Sequence, residues 1–312
     1  MLPIDMSVWA GRAGVGEEGK VLRWYQKVTP YTDTAEPGIA LLGFACDEGV
    51  RRSRGRIGAR QGPKVLRRAL ANLAWHQPCP VYDVGDVVCN EGDSLLRVQR
   101  QLADHVKLLL DAGQFPWVLG GGHEAAYGSW RGLADAWPGK DIGIINFDAH
   151  FDLNDAAEAS AGTPFAQIAA DCQADNRSFC YLCLGIAEPS NTASLFSRAK
   201  ALGVHWRLDI DINAWQLNEA LVQMKAFVDR MDLIYLTIDL DVLPAAIMPA
   251  VSAPAARGVG LDMIEVMVSW LAQSGKLALA DIVELNPDFD IDNHGARVAA
   301  RLCWVISRCL QC

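Results

Sequence analysis

No run of apolar residues in this 312-residue chain approaches the ~18–20 that a membrane-spanning helix needs. The opening residues, Met1-Leu-Pro-Ile-Asp-Met6, lack the basic start and apolar core of a secretory signal. Positive charge is also scarce: 28 Lys and Arg against 37 Asp and Glu leave a net charge of −9, which argues against nucleic acid as a partner. Gly120-Gly-Gly122 lacks the spacing of a dinucleotide loop, and the 55–62 stretch has no Lys-Ser/Thr to make a phosphate loop. His76, His105, His205 and His294 have no partner at ligand spacing and read as ordinary histidines. With neither signal nor span, no membrane contact is expected and the chain reads as cytoplasmic, its nine cysteines as reduced thiols. Two pairs have CxxC spacing. Cys180 and Cys183 lie in a strand-like run where i and i+3 face opposite sides, and Cys309 and Cys312 close the last helix, so both read as packing thiols. The sequon Asn176-Arg-Ser178 carries no weight in that compartment.

What is present is a large apolar fraction, 51% hydrophobic against 21% charged, as in a globular protein with a big buried sheet. After an irregular arm over 1–36, with Trp9, Trp24 and Tyr25 as anchors, strand-like and helix-like segments alternate. Strands are expected over 38–44, 117–119, 142–147, 181–184, 204–207, 233–238 and 277–284. Helices are expected over 63–73, 94–110, 124–136, from Pro164, 193–202, 214–228, 261–271 and from Ala296. Alternation of Val/Ile/Leu-rich strands with helices predicts a mostly parallel sheet covered on both faces, in one domain spanning 1–312. A TIM barrel shares the alternation; the clustering of polar strings after a few strands favours an open sheet with a crevice at its carboxyl ends.

Three such strings follow apolar runs: Gly121-Gly-His-Glu124, Asp148-Ala-His-Phe-Asp152 and Asp239-Leu-Asp241. They offer His123, Asp148, His150, Asp152, Asp239 and Asp241, and no cysteine. Four carboxylates are too much charge for an ordinary interior, because each unpaired buried carboxylate costs several kcal/mol. Two divalent cations would neutralise all four, and mixed imidazole and carboxylate donors suit a borderline-hard metal such as Mn²⁺. In an extended segment Asp148, His150 and Asp152 would share one side, with Ala149 packing beneath and Phe151 turned away. Acids at strand ends also serve as turn formers and helix caps, which remains the plain alternative for Asp239 and Asp241 taken alone.

These strings, continued by Pro249-Ala250 and Gly258, resemble the arginase/agmatinase ureohydrolase family over roughly 38–308. The resemblance implies a three-layer α/β/α fold with an open, mostly parallel eight-stranded sheet, and two Mn²⁺ per chain. His123, Asp148, Asp152 and Asp239 would bind one ion, and His150, Asp148, Asp239 and Asp241 the other, with a bridging hydroxide as nucleophile. Glu284, in Glu-Leu-Asn-Pro287, matches the carboxylate that pairs with a planar amidinium, and Asn154 a position that touches the substrate's amino-acid end. The 43–63 string, Trp9-Ala-Gly-Arg12, Ser160-Ala-Gly-Thr-Pro-Phe165 and Val242-Leu-Pro-Ala-Ala246 look like the branch that splits N-formimidoyl-L-glutamate into L-glutamate and formamide in histidine degradation. A departure supports that branch: Ala161 stands where arginases and agmatinases carry a proton-shuttling histidine, leaving Asp241 as candidate proton carrier.

Five arginines, Arg51, Arg52, Arg54, Arg56 and Arg60, crowd the loop after the first strand. A guanidinium fork matches carboxylates and repels a cationic substrate, so Arg56 and Arg60 are expected to hold a small amidine substrate by its carboxylates. A guanidino substrate, and a metal-binding paralogue without catalysis, are the alternatives. The resemblance also implies a homo-oligomer, a trimer or hexamer.

Overall fold

The computed structural model describes residues 2–12 and 21–310. Among these residues nine strands form one sheet: β1 (Thr29–Pro30), β2 (Ile39–Ala45), β3 (Val81–Val88), β4 (Phe115–Leu119), β5 (Ile142–Phe147), β6 (Cys180–Ile186), β7 (His205–Leu208), β8 (Leu233–Asp239) and β9 (Leu277–Val283). The helices are α1 (Glu48–Arg52), α2 (Gly62–Ala71), α3 (Leu95–Asp111), α4 (Ala125–Ala136), α5 (Pro164–Ala174), α6 (Ala193–Ala201), α7 (Leu217–Asp229), α8 (Leu261–Ala272) and α9 (His294–Cys309). The strand order is β1-β3-β2-β4-β9-β8-β5-β6-β7, and every pairing is parallel. Among the described residues the sheet is open, with β1 and β7 at its edges, so it is not a barrel.

Strand alternation sorts the core into two layers. Leu41, Ile145 and Leu236 face one side with Leu66 of α2, Met224 of α7, Met267 of α8 and Leu302 of α9. Leu42, Ile144 and Tyr235 face the other with Leu102 of α3, Leu133 of α4, Ile168 of α5 and Ala199 of α6. This is the α/β/α sandwich that parallel strands buried on both faces require.

β1 and β3 add to the seven strands read along the sequence, so the sheet has nine, one more than the eight the resemblance implies. β1 lies within the arm read as irregular and pairs Thr29 and Pro30 with Tyr82 and Asp83. β3 was not expected because Asp83, Gly85 and Asp86 break its apolar pattern. The charge is met from α2: Arg67, buried, binds Asp83 at 2.8 and 3.0 Å and Asp86 at 2.6 Å. Trp9 donates its indole N–H to the same Asp83 at 2.6 Å, tying the arm to the body. A short helix, α1, also occupies part of the arginine-rich stretch read as loop. The thiol reading needs one correction as well: Cys79 is disulfide-bonded, whereas Cys46, Cys89, Cys172, Cys180, Cys183, Cys303 and Cys309 are free. Cys312 lies outside the described residues. No helix among the described residues is long and apolar enough to cross a membrane.

Candidate metal centre

Four adjacent central strands, β4, β9, β8 and β5, end at one place and carry the polar strings there. After β4 the chain passes Gly120, Gly121 and Gly122 before His123. A Cβ on Gly121 would lie 1.8 Å from the Cys46 carbonyl oxygen, and one on Gly122 2.1 Å from Oε2 of Glu124. Only glycine permits this approach, which brings His123 against the neighbouring strand ends. After β9, Glu284 sits at φ +70°, its N–H bound to the Gly121 carbonyl at 2.7 Å. After β8, Asp239 accepts the Asp241 N–H at 2.8 Å and so caps a 3₁₀ turn, Leu240–Val242. The capping role expected of an acid in this position and a place among the clustered carboxylates thus fall on one residue.

After β5 the structure departs from expectation. Residues 148–152 are bent rather than extended, and Asp152 sits at φ +48°, a region that non-glycine residues rarely visit. Asp148, His150 and Asp152 therefore do not share one side through strand pleat; the bend sends them to two groups. His123 Nδ1 lies 3.2 Å from Asp148, 3.0 Å from Asp152 and 3.1 Å from Asp239. His150 Nδ1 lies 3.5 Å from Asp148 and 3.1 Å from Asp241. The donor atoms of His123, Asp148, Asp152 and Asp239 fall within 4.8 Å of one another, as do those of Asp148, His150 and Asp241. Asp148 is common to both groups. Asp239, which the family resemblance made a second shared ligand, joins only the first.

This crowd of acids governs protonation. Burial works against charge on His123, yet the carboxylates of Asp148, Asp152 and Asp239 around it raise its pKa well above the usual value. Asp241, then burial in opposition, sets the balance at His150, which is also strongly raised. Burial pushes Asp152 up to about 6 and also raises Asp239 and Asp241, while bonds from His123 and His150 overcome burial to hold Asp148 low. Protons here stand where cations would stand. The donor set fits divalent ions on a direct observation: His123 Nδ1 is buried and makes no hydrogen bond, although three carboxylate oxygens surround it. A single N–H cannot point at three acceptors, whereas a cation can bind all four atoms.

Glu284 completes the centre. Its Oε1 accepts the His123 N–H at 2.9 Å, and its Oε2 is buried with no partner. Burial, reinforced by Glu124, pushes its pKa up to about 8. Glu124 is itself buried; Oε1 accepts the Gly49 N–H at 2.8 Å, and burial raises its pKa to about 7.

Several supporting residues escaped sequence reasoning. Asn146 donates to Asp148 and reaches the Tyr181 hydroxyl, both at 2.9 Å. Asn191 accepts the Phe151 N–H at 3.1 Å and donates to Ala149 O at 2.9 Å, fixing the bend. Asn146, two residues before Asp148 in an otherwise apolar strand, was the available signal; Asn191 offered none, being brought from a distant loop.

The expected carboxylate-binding residues are more scattered. Arg56 gives its guanidinium to the carbonyls of Ser252 and Pro249, each at 3.2 Å, and to that of Val251, and stacks 3.9 Å over Phe289. The structure thus does not bring Arg56 to either group of clustered His and Asp donors. Arg60 donates to Cys89 O at 3.2 Å and, with Arg51 and Arg52, lines a groove of about 1030 Å³. Arg52 also borders a groove of about 520 Å³ shared with the exposed Asn154. Arg51 is paired with Glu48 at 2.6 Å, and Arg54 sits at φ +59°.

Comparison with known proteins identifies the family. The Arginase family model matches residues 37–308, so the chain belongs to the arginase family, and it is a hydrolase of the α/β/α class. Within the family its relatives are specific. A formimidoylglutamase from Chromobacterium violaceum is 57% identical over 308 residues, covering 99% of both chains. Another from Aeromonas hydrophila is 55% identical over 96% of both. Among solved structures, a Bacillus subtilis formimidoylglutamase matches with a TM-score of 0.85 at 22% identity, covering 95% of this chain and 94% of that one. A Trypanosoma cruzi formiminoglutamase with Mn²⁺ matches at 0.77 and 24% identity, over 88% of this chain and 93% of its own. At such identities these two speak for the fold.

Proposed function

We propose that this protein hydrolyses N-formimidoyl-L-glutamate to L-glutamate and formamide, a step of histidine degradation, using two Mn²⁺ held by the six clustered ligands. The observation that carries the reading is the pair of ligand groups joined by Asp148 beside a buried, unpartnered Glu284 oxygen. Close curated relatives named formimidoylglutamase support the choice of substrate. His123, Asp148, Asp152 and Asp239 would hold one ion, and Asp148, His150 and Asp241 the other. Bound divalent ions supply Lewis acidity and a water nucleophile active near neutral pH. Glu284 Oε2 takes the planar amidinium in a charge-assisted hydrogen bond, the arriving cation favouring the ionised carboxylate that burial and Glu124 disfavour, and its Oε1, fixed on the His123 N–H, keeps the carboxylate oriented. Asp241, positioned by the Ala149 N–H at 3.3 Å, carries the proton needed by the departing glutamate amine. Water adds at the formimidoyl carbon, the bond to the glutamate nitrogen breaks, and the amidine nitrogen leaves as the amide of formamide. Asn154, Arg60 and Arg52 are the groups offered to the two carboxylates.

The test is glutamate release by Mn²⁺-loaded protein, run against agmatine and guanidinobutyrate. Release from formimidoylglutamate at a kcat/KM far above urea formation from either guanidino compound is the expected result. A guanidino compound proving the better substrate would overturn the proposal.

A further inference from the structure

His123 has two ring nitrogens with different work. Nδ1 faces three carboxylate oxygens, and Nε2, on the other side of the ring, lies 3.1 Å from Thr237 Oγ1. For Nδ1 to offer a lone pair to a cation, the proton of the neutral ring must sit on Nε2, and Thr237 must accept it. A hydroxyl that accepts this way has one hydrogen left, to be given to a second acceptor. Thr237 stands in register with Asp281 on the adjacent parallel strand β9, so both side chains project from the same face of the sheet. Asp281 is fully buried; Oδ2 accepts the Tyr235 hydroxyl, while Oδ1 has no hydrogen-bond partner. A buried carboxylate with an unpartnered oxygen, in register with that hydroxyl, is the second acceptor a chain from the His123 ring requires; Ser129, whose buried hydroxyl is also without a partner, is the competing donor to it.

We propose that Asp281 is a positioning residue for the metal site of His123, acting through the Thr237 hydroxyl to fix the ring's tautomer and orientation. Ligating histidines are commonly oriented by a carboxylate on their second nitrogen; here a threonine is interposed. The inference rests on the two-metal reading above, and it assigns work to a buried acid that touches neither substrate nor metal. Tyr235 alone would give Asp281 a merely structural role, and the test separates the two.

The experiment measures Mn²⁺ per chain and its dissociation constants by chelator competition in the parent, Thr237→Val, Thr237→Ser, Asp281→Asn and the Val/Asn double variant, with melting temperature recorded for each. Thr237→Val and Asp281→Asn are each expected to weaken one of the two sites on the order of 10–100-fold, leaving the other within about 2-fold of the parent. Thr237→Ser, which restores the hydroxyl, should bind like the parent. Because both residues act along one path, the double variant should lose no more than the worse single variant. Parent-like affinity in either Thr237→Val or Asp281→Asn, equal weakening of both sites, or additive losses in the double variant would overturn the proposal. Should Asp281→Asn fail to fold, the Val and Ser variants decide: a loss that Ser does not restore would also overturn it. A parent that binds no metal would instead overturn the two-metal reading, and this proposal with it.

Discussion

Glu284 is held by its backbone, at φ +70°, and by one carboxylate oxygen, so that its other oxygen is buried with nothing to bind. A left-handed non-glycine residue is a local cost, of order 1–3 kcal/mol, usually maintained where geometry serves function. Glu284→Gln keeps shape and removes charge; it should lower kcat/KM by on the order of 10²-fold while leaving metal content unchanged. Steady-state kinetics beside metal analysis checks this, and near-normal activity would return Glu284 to a structural role. The arginines divide by their partners. Arg56→Ala should lower stability without moving KM, because its guanidinium serves three backbone carbonyls. Arg60→Ala should raise KM for formimidoylglutamate with metal binding intact, since Arg60 has one carbonyl partner and lines a groove, whereas Arg52, tied to Glu48 and Ala159 O, should show the smaller effect. That split is visible in parallel melting and kinetic measurements. That these carboxylates and imidazoles gather was legible in the sequence, because such residues after apolar strands have few other reasons to recur. The destination of Arg56 was not legible, since its carbonyl partners lie about two hundred residues away.

At the scale of elements, the strands that read clearly were those with unbroken apolar runs, such as β5 and β8. β3 did not, because its two aspartates make sense only beside Arg67 of α2, a contact formed by tertiary packing. Removing one partner from a buried ion cluster leaves the others unpaired at a cost of about 3–5 kcal/mol. Arg67→Ala should therefore destabilise the protein by roughly that amount in denaturant unfolding, and a change under about 1 kcal/mol would contradict the role given to it here. The bend at 148–152 was likewise hidden: period-2 reasoning predicted that the three side chains share one side, whereas the bend, with Asn191 and the left-handed Asp152, divides them between two groups joined at Asp148.

For the whole molecule, three central strands, β4, β5 and β8, deliver all six candidate ligands to one end of the sheet, so metal binding and folding are expected to be coupled. Ions bound only by the folded state stabilise it by mass action, about 2.7 kcal/mol per site at a hundredfold excess over Kd. Chelation should lower the melting temperature by several degrees, on the scale of about 2–4 °C per kcal/mol for large domains, and Mn²⁺ should restore it. The central claim is that Asp148 binds both ions. Metal analysis of purified protein, parent beside Asp148→Ala, tests it most directly. Two Mn²⁺ per chain in the parent and near zero in Asp148→Ala, with His123→Ala losing mainly one, is the predicted result. One ion in the parent, or two retained by Asp148→Ala, would contradict it.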